Sequence, residues 1–375
     1  MQSVPWYSVS SPDDVPSPAL LVYRERVEEN LRRLVSVAGG TDRLRPHVKT
    51  HKVAWIVQAQ LAQGITRFKC ATIAEAEMTA QAGATDVLLA YQPVGPNVER
   101  LRALTERFPA IRFSAVVDNE GTARTISDAF ANRQRPIDLL IDLDTGMHRS
   151  GIAPEADAAR LYATLGRLPG VRPGGLHAYD GHLRDADPAA RRAKCDEAFA
   201  PVARLAEALR TDGLPVPRVV AGGTPTFPFH AAREDVECSP GTCVYWDAGY
   251  ASGLPDLDFL PAALVLTRVV SKPGGTRICL DLGHKAIASE NPHPRVVLYA
   301  PGTEAALECT FTSHSEEHLV LETPHAKALA VGDCLYGVPW HICPTVALHS
   351  EALVVHEGAI ADRWEIQARA RRLSI

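Results

Sequence analysis

The sequence predicts an α/β chain: a (β/α)8 TIM-type barrel followed by an antiparallel β domain. Three observations carry that prediction. Up to about residue 255, short apolar β runs alternate with amphipathic helical stretches, the pattern of parallel strands joined by helical crossovers. Those runs number eight, the count that closes a barrel, although a doubly wound open sheet also alternates. After about residue 256 helical spacing stops, and β-rich runs separated by Pro, Gly and Asp turns take over.

The strand ALLVY (19–23) precedes the barrel and is expected to pair with the second domain. Barrel strand one is LRPHVK (44–49), followed by Val53, Ile56, Val57 and Leu61 on one helical face. FKCAT (68–72) leads into IAEAEMTAQAG, with Gly83 as a C-terminal cap. DVLLAY (86–91) precedes a helix from Pro96, and RFSAVVD (112–118) one from about Thr122. IDLLIDLD (137–144) precedes a helix around 155–167, and GGLHAYDG (174–181) a long one around 186–210. RVVAGGT (218–224) and CSPGTCVYW (238–246) complete the eight. ALVLTRVV, RICLDLG, RVVLYA, LECTFT, HLVLET, CLYGVPW and EALVVH are the strands of the second domain. The expected domains are therefore 24–255 and 256–375, with 1–23 joining the latter.

Composition narrows the function. The 375 residues are 46% apolar and 22% charged, an ordinary globular balance. Lys plus Arg number 39 against 44 Asp plus Glu, a net charge of -5, which argues against a general nucleic-acid binder. A mean hydropathy of -0.07 and the lack of any long apolar run exclude a conventional membrane helix. MQSVPWYSVS has neither a basic nor an apolar leader segment, so a cytoplasmic location is expected. The eight cysteines form no CxxC pair and are expected to be reduced thiols, mostly buried.

In such a barrel, chemistry sits at the C-terminal ends of the strands. Strand one ends RPHVKTHK, and on a strand Arg45, His47 and Lys49 share a face. An interior lysine crowded by cations has a depressed pKa, which suits a Schiff-base amine; a solvated basic loop is the plainer alternative. Strand five ends DLDTGMHRSG, placing Asp144 and Arg149 at the rim, and strand six ends HAYDGH, placing His177, Tyr179, Asp180 and His182 there. AGGTPT and SPGT, after strands seven and eight, offer the backbone N–H groups of a phosphate cradle. A lysine on strand one facing a phosphate nest describes a pyridoxal-phosphate site. Far down the chain, VPWHICPT sets His341 and Cys343 on one side of an extended strand, as two metal ligands stand. A buried cysteine beside a hydrogen-bonded histidine has the same spacing.

RPHVKTHK, DTGMHRSG, GGTPT and HICPTVALH, in this order, resemble the D-threonine aldolase / D-serine dehydratase family, fold-type III pyridoxal-phosphate enzymes related to the alanine racemases. The resemblance spans residues 15 to the end and implies the following roles. Lys49 carries the cofactor, and Arg149 hydrogen-bonds its phenolic oxygen. Tyr179 lies near it, and Gly222, Gly223, Thr224, Gly241 and Thr242 hold its phosphate. His341 and Cys343 are the metal pair, and a head-to-tail homodimer forms the site between the barrel of one subunit and the β domain of the other. Two positions depart from the pattern: Cys243 stands where tyrosine is commoner, and the metal pair is His-x-Cys, as in the dehydratases, rather than His-x-Asp. A thiolate is the softer ligand and favours zinc over magnesium or manganese.

The expected activity is a metal-dependent retro-aldol of D-3-hydroxy amino acids to glycine and an aldehyde, with D-serine dehydration to pyruvate and ammonia as the alternative. Racemisation and a non-catalytic cofactor carrier stand further back. AGYASG (248–253) is only superficially like the racemase tyrosine motif, and small carrier barrels lack a β domain with a metal pair. His51, His177 and His182 are candidate acid/base or packing residues, and His318 is either near the metal or in a solvated turn.

Overall fold

The structure is a computed structural model describing residues 4–131 and 135–375; Met1–Ser3 of the leader stretch lie outside the described residues. Two compact units divide the chain, one running to Arg33 and resuming over Thr242–Arg369, the other spanning Leu34–Gly241 with Ala370–Ile375. Strand β1 (Ala19–Tyr23) belongs to the first unit. The second unit holds the parallel strands β2 (Arg67–Cys70), β3 (Asp86–Leu89), β4 (Arg112–Val117), β5 (Ile137–Leu143), β6 (Val171–Ala178), β7 (Val219–Ala221) and β8 (Val236–Cys238), paired in that order. Helices such as Pro96–Arg107, Glu120–Phe130 and Pro188–Thr211 form the crossovers. Asn119 and Asp187 cap two of them by accepting backbone N–H bonds.

Expected strand one does not form a ladder. It is an extended stave making single parallel bridges, Leu44 to Cys238 and His47 to Lys69. Pro46 has no N–H and contributes only its carbonyl, to Lys69 N at 2.9 Å. Arg45 N bonds Cys238 O at 2.9 Å, His47 N bonds Pro240 O at 2.9 Å and Val48 N bonds Lys69 O at 2.9 Å. The stave thus joins β8 to β2 and closes the barrel. Expected strand eight (238–246) is displaced. Strand β8 ends at Cys238, where that run begins, and Thr242–Val244 form a 3-10 turn.

The interior is layered, because alternate residues of each strand face inward. Asp138, Leu140 and Asp142 share one side of β5. At the base, the Asp138 carboxylate accepts from Arg112 Nε at 2.7 Å, Arg172 Nε at 3.0 Å and Arg218 Nη2 at 3.3 Å. Arg45, fully buried, bonds Glu237 at 2.6 Å and Asp86 at 2.7 Å. Burial acts to lower the Arg45 pKa, but those two carboxylates outweigh it and hold the guanidinium charged. Above this layer, Leu88, Val116, Leu140 and Val220 form a fully buried apolar cluster, each side chain contributing roughly 1.5–3 kcal/mol. The polar rim lies above that.

The other unit holds an antiparallel-rich sheet of β9 (Ala263–Gly274), β10 (Arg277–Leu280), β11 (Val296–Tyr299), β12 (Thr310–His314), β13 (Leu319–Glu322), β14 (Cys334–Pro339), β15 (Glu351–His356) and β16 (Ala359–Glu365), together with β1. Strand β1 lies antiparallel to β9 and parallel to β15. Strand β16 has no counterpart in the sequence reading, because most of AIADRWE faces water and shows no apolar run. Its signal is the turn before it: Glu357 and Gly358 both take positive φ, 49° and 77°, as a two-residue hairpin loop requires.

Among the described residues, no helix is long and apolar enough to cross a membrane. Asp138→Ala would leave the buried Arg218 short of a counter-charge. The expected cost is about 3 kcal/mol, read as a lower urea midpoint.

Candidate active site

Lys49 is half-buried and lies not on a strand but in the turn that follows the stave. Lys52 closes that turn at φ 55° and donates its N–H to Val48 O at 2.9 Å. The Lys52 ammonium is paired with buried Glu75, near the start of the helix Ile73–Gln81. Glu75 also accepts from Ala71 N at 2.6 Å, and Thr72 caps the same helix. Two cations of RPHVKTHK are therefore spent elsewhere: Lys52 on Glu75, and Arg45 on the carboxylates of the base.

The cations that do converge surround one aromatic ring. Lys49 Nζ lies 5.7 Å, Lys69 Nζ 5.6 Å and the Arg149 guanidinium 4.8 Å from the Tyr179 ring centre. Two glycines make room for that ring. A Cβ at Gly181 would fall 2.0 Å from the Tyr179 hydroxyl, and one at Gly223 would fall 2.9 Å from the ring edge. Arg149 is held out on a turn whose Asp144 carboxylate accepts the N–H groups of Gly146 and His148, both at 3.0 Å.

Lys69 and Asp142 were not singled out in the sequence. Their signal is a charge at an inward position of a barrel strand, flanked by apolar neighbours. Lys69 is 2% exposed, and burial with the nearby Lys49 charge lowers its pKa to about 7. Asp142 Oδ1 lies 2.7 Å from His177 Nδ1, while His177 Nε2 is buried without a partner. Burial lowers the His177 pKa against the pull of Asp142, and burial with the nearby Lys49 charge puts that of His47 lower still. A cation-rich rim holding an orphaned buried nitrogen fits an anionic group with its own hydrogen-bonding atoms, as pyridoxal phosphate has.

The loops after β7 and β8 meet. Gly222 has φ +78°, a conformation that favours glycine. The Gly241 N–H donates to Thr224 Oγ1 at 3.2 Å, and the Gly223 N–H to Thr226 Oγ1 at 3.4 Å. The Gly241 bond, made to a neutral hydroxyl, is one that a phosphate oxygen can replace with a stronger, charge-assisted one.

The His341–Cys343 segment is not a strand. His341 is the N-cap of the short helix Ile342–Leu348, and Cys343 lies in its first turn. Pro344 is tolerated there because first-turn N–H groups have no helical partner. Asp247 accepts Ile342 N at 3.1 Å, and Thr345 Oγ1 donates to His341 O at 2.8 Å. Glu290 lies 2.5 Å from His341 Nδ1, and Cys343 Sγ 3.7 Å from Thr242 Oγ1. Burial lowers the His341 pKa, but its bond to Cys343 and the Glu290 carboxylate outweigh this and hold it near 9. An imidazole fixed at Nδ1 by a carboxylate, next to a sulfur, is a donor set suited to a divalent metal at Nε2 and Sγ.

His51 is buried, accepts Val53 N at 3.1 Å, and is pushed down to about 3 by burial. His182 and His318 are exposed, and His349 bonds Ala286 O at 2.8 Å. Cys243 is buried in the 3-10 turn. AGYASG is the short helix Ala248–Gly253. None of the eight cysteines is disulfide-bonded, and all but Cys309 and Cys343 are buried.

Residues 22–248 match the alanine racemase N-terminal domain family, and residues 262–355 the putative serine dehydratase domain. The chain is similar to a D-threonine aldolase from an Arthrobacter species, 33% identical over 361 residues, covering 95% of this chain and 93% of that protein. It is similar to the crystal structure of a D-threonine aldolase from Filomicrobium marinum, with 30% identity, a TM-score of 0.86 and 96% of each chain covered. It is also similar to D-threo-3-hydroxyaspartate dehydratase from Delftia sp. HT23, at 26% identity and a TM-score of 0.80, over 94% of this chain and 98% of that one.

The Lys69 environment makes stability depend on pH. With a folded pKa near 7 against an ordinary lysine value of 10.5, the unfolded chain binds more protons between those values. Stability of the cofactor-free protein therefore rises with pH across that window. Lys69→Met removes the slope. In denaturant titrations it should stabilise the protein at pH 6, by on the order of 4 kcal/mol, and the gain should shrink towards pH 10.

Proposed function

The chain belongs to the family of alanine racemase-type barrels that includes the D-threonine aldolases, and on that premise we propose a D-threonine aldolase. It is a pyridoxal-phosphate- and divalent-metal-dependent lyase of D-3-hydroxy amino acids, working in the cytoplasm as a homodimer. The observation that carries this reading is the 33% identity to the Arthrobacter D-threonine aldolase across 95% of the chain. The cation-lined Tyr179 ring supports it.

When bound, pyridoxal phosphate supplies the electron sink for breaking a bond at Cα. Lys49 would hold its carbonyl carbon, Arg149 its phenolic oxygen, and Gly222, Gly223, Thr224, Gly241 and Thr242 its phosphate. A divalent ion, zinc by the softness of the thiolate, would be held by His341 and Cys343 and would polarise the β-hydroxyl. The roles of the chain's own groups follow from their surroundings. Lys49 Nζ would stand where the substrate amine comes to bind. Lys69, neutral or charged near pH 7, sets how much positive charge surrounds that nitrogen. Asp142 fixes the His177 ring through Nδ1, leaving Nε2 as the atom that can gain a partner.

The alternative reading is D-serine dehydration, favoured by one observation: a cysteine, Cys343, stands two residues after His341, a spacing that resembles the dehydratases. There Lys49 Nζ would be the base for the Cα proton. The two readings differ in which Cα bond breaks. Purified protein should release glycine from D-threonine; ammonia and a keto acid from D-serine, without glycine release, would replace the first reading by the second. Lys49→Ala should abolish turnover and the yellow absorbance. Cys343→Ala should lower the metal content measured by mass spectrometry and cut activity by about two orders of magnitude or more.

A further inference from the structure

Among the described residues, one cluster has the spacing of a metal site: the buried Asp180, Cys195 and His230. Its hydrogen bonds describe something else. Asp180 Oδ1 accepts from Thr226 Oγ1 at 2.6 Å, and Asp180 Oδ2 lies 2.8 Å from His230 Nε2. The Cys195 thiol lies 3.7 Å from that same oxygen. Arg233 Nη1 sits 2.8 Å from His230 Nδ1, which therefore accepts, leaving Nε2–H to donate to Asp180. The guanidinium also covers the Cys195 sulfur, at 3.8 and 3.9 Å. A cation at this place would displace an arginine. Burial pushes the Cys195 thiol up to about 12, so it is a donor and not a thiolate. Burial acts to raise the Asp180 pKa, but the bonds from His230 and Thr226 outweigh it and hold the carboxylate ionised.

Three donors thus converge on one buried carboxylate, and two of them bear on the loop after β7. Thr226 Oγ1 gives its proton to Asp180 and accepts the Gly223 N–H at 3.4 Å. The His230 ring lies against Gly222, where a Cβ would fall 2.5 Å from Cδ2. Gly222 N is tied to Ala178 O at 2.9 Å. The loop is therefore clamped from beneath by a hydroxyl and an imidazole, both oriented by Asp180.

A negative charge beneath an anion site is unfavourable by itself. The arrangement makes sense if the carboxylate serves as an acceptor that orients the hydroxyl and the imidazole. We propose that Asp180, Thr226 and His230 are positioning residues that hold Gly222–Thr226 in the conformation that receives a phosphate monoester. The inference rests on the reading of that loop as the cofactor's phosphate cradle.

The test uses the cofactor-free full chain, titrated with pyridoxal 5'-phosphate and, separately, with pyridoxal, which lacks the phosphate. Binding is followed by tryptophan fluorescence. Thr226→Val, which keeps the shape and removes the hydroxyl, should weaken pyridoxal-phosphate binding by about tenfold, the loss expected for one buried hydrogen-bonded group. Pyridoxal binding should stay within about twofold, and Thr226→Ser should restore the phosphate preference. His230→Gln, which retains an amide donor, should keep most of that preference, and His230→Leu should lose it. Unchanged pyridoxal-phosphate affinity in Thr226→Val and His230→Leu overturns the proposal. So does an equal loss for both ligands, which marks general packing damage. If the unsubstituted protein itself binds the two ligands equally, the cradle reading falls, and the clamp falls with it.

Discussion

Five residues, Leu44–Val48, close the barrel, and the placement of nearly every rim group depends on that closure. The stave is tied on one side to Cys238 and Pro240 and on the other to Lys69, by backbone bonds of about 2.9 Å. Pro46 removes one donor from it, so the chain meets β8 and β2 at separate points rather than along a ladder. The turn that follows carries Lys49 and is pinned in its turn by Lys52 on Glu75. A shift of one residue here would exchange inward and outward side chains, moving Arg45 off its carboxylates and His47 out of the cation-rich rim.

The second constraint is the cost of polar groups inside a closed barrel. The chain answers it differently at each level. At the base, arginines and carboxylates neutralise each other; in the middle, only aliphatic side chains appear. At the rim, compensation is incomplete, with Lys69 crowded and His177 Nε2 unpartnered. The crowded Lys69 and the unpartnered His177 Nε2 lie where a ligand with its own charge and acceptors would sit, which is how functional sites depart from the rules that stable cores obey.

Much of this was legible in the sequence, for physical reasons. Alternation of β and helical runs follows from burial on one face, so the barrel and the β-rich remainder could be read directly. Lys49, Arg149 and Tyr179 were found because they lie at strand ends, and they do converge. What failed were inferences from local spacing. His341 and Cys343 were set on a strand by analogy with the run before them, yet Asp247, distant in sequence, supplies the acceptor that starts a helix there. Arg45 looked like a pocket cation because its partners, Asp86 and Glu237, lie 41 and 192 residues away. Lys69 was passed over because one lysine in an apolar run carries no pattern; only the closed barrel shows it to be buried beside a second amine.

The aliphatic layer of Leu88, Val116, Leu140 and Val220 gives the barrel a floor. That packed layer sets the paired charges of one mouth apart from the cation-rich rim of the other. Lys49 stands at the rim. The opposite mouth, with its shared arginines, is free to change sequence as long as its charges still balance. The two ends of a single cylinder can therefore follow independent histories, one under the demands of chemistry and the other under those of stability alone.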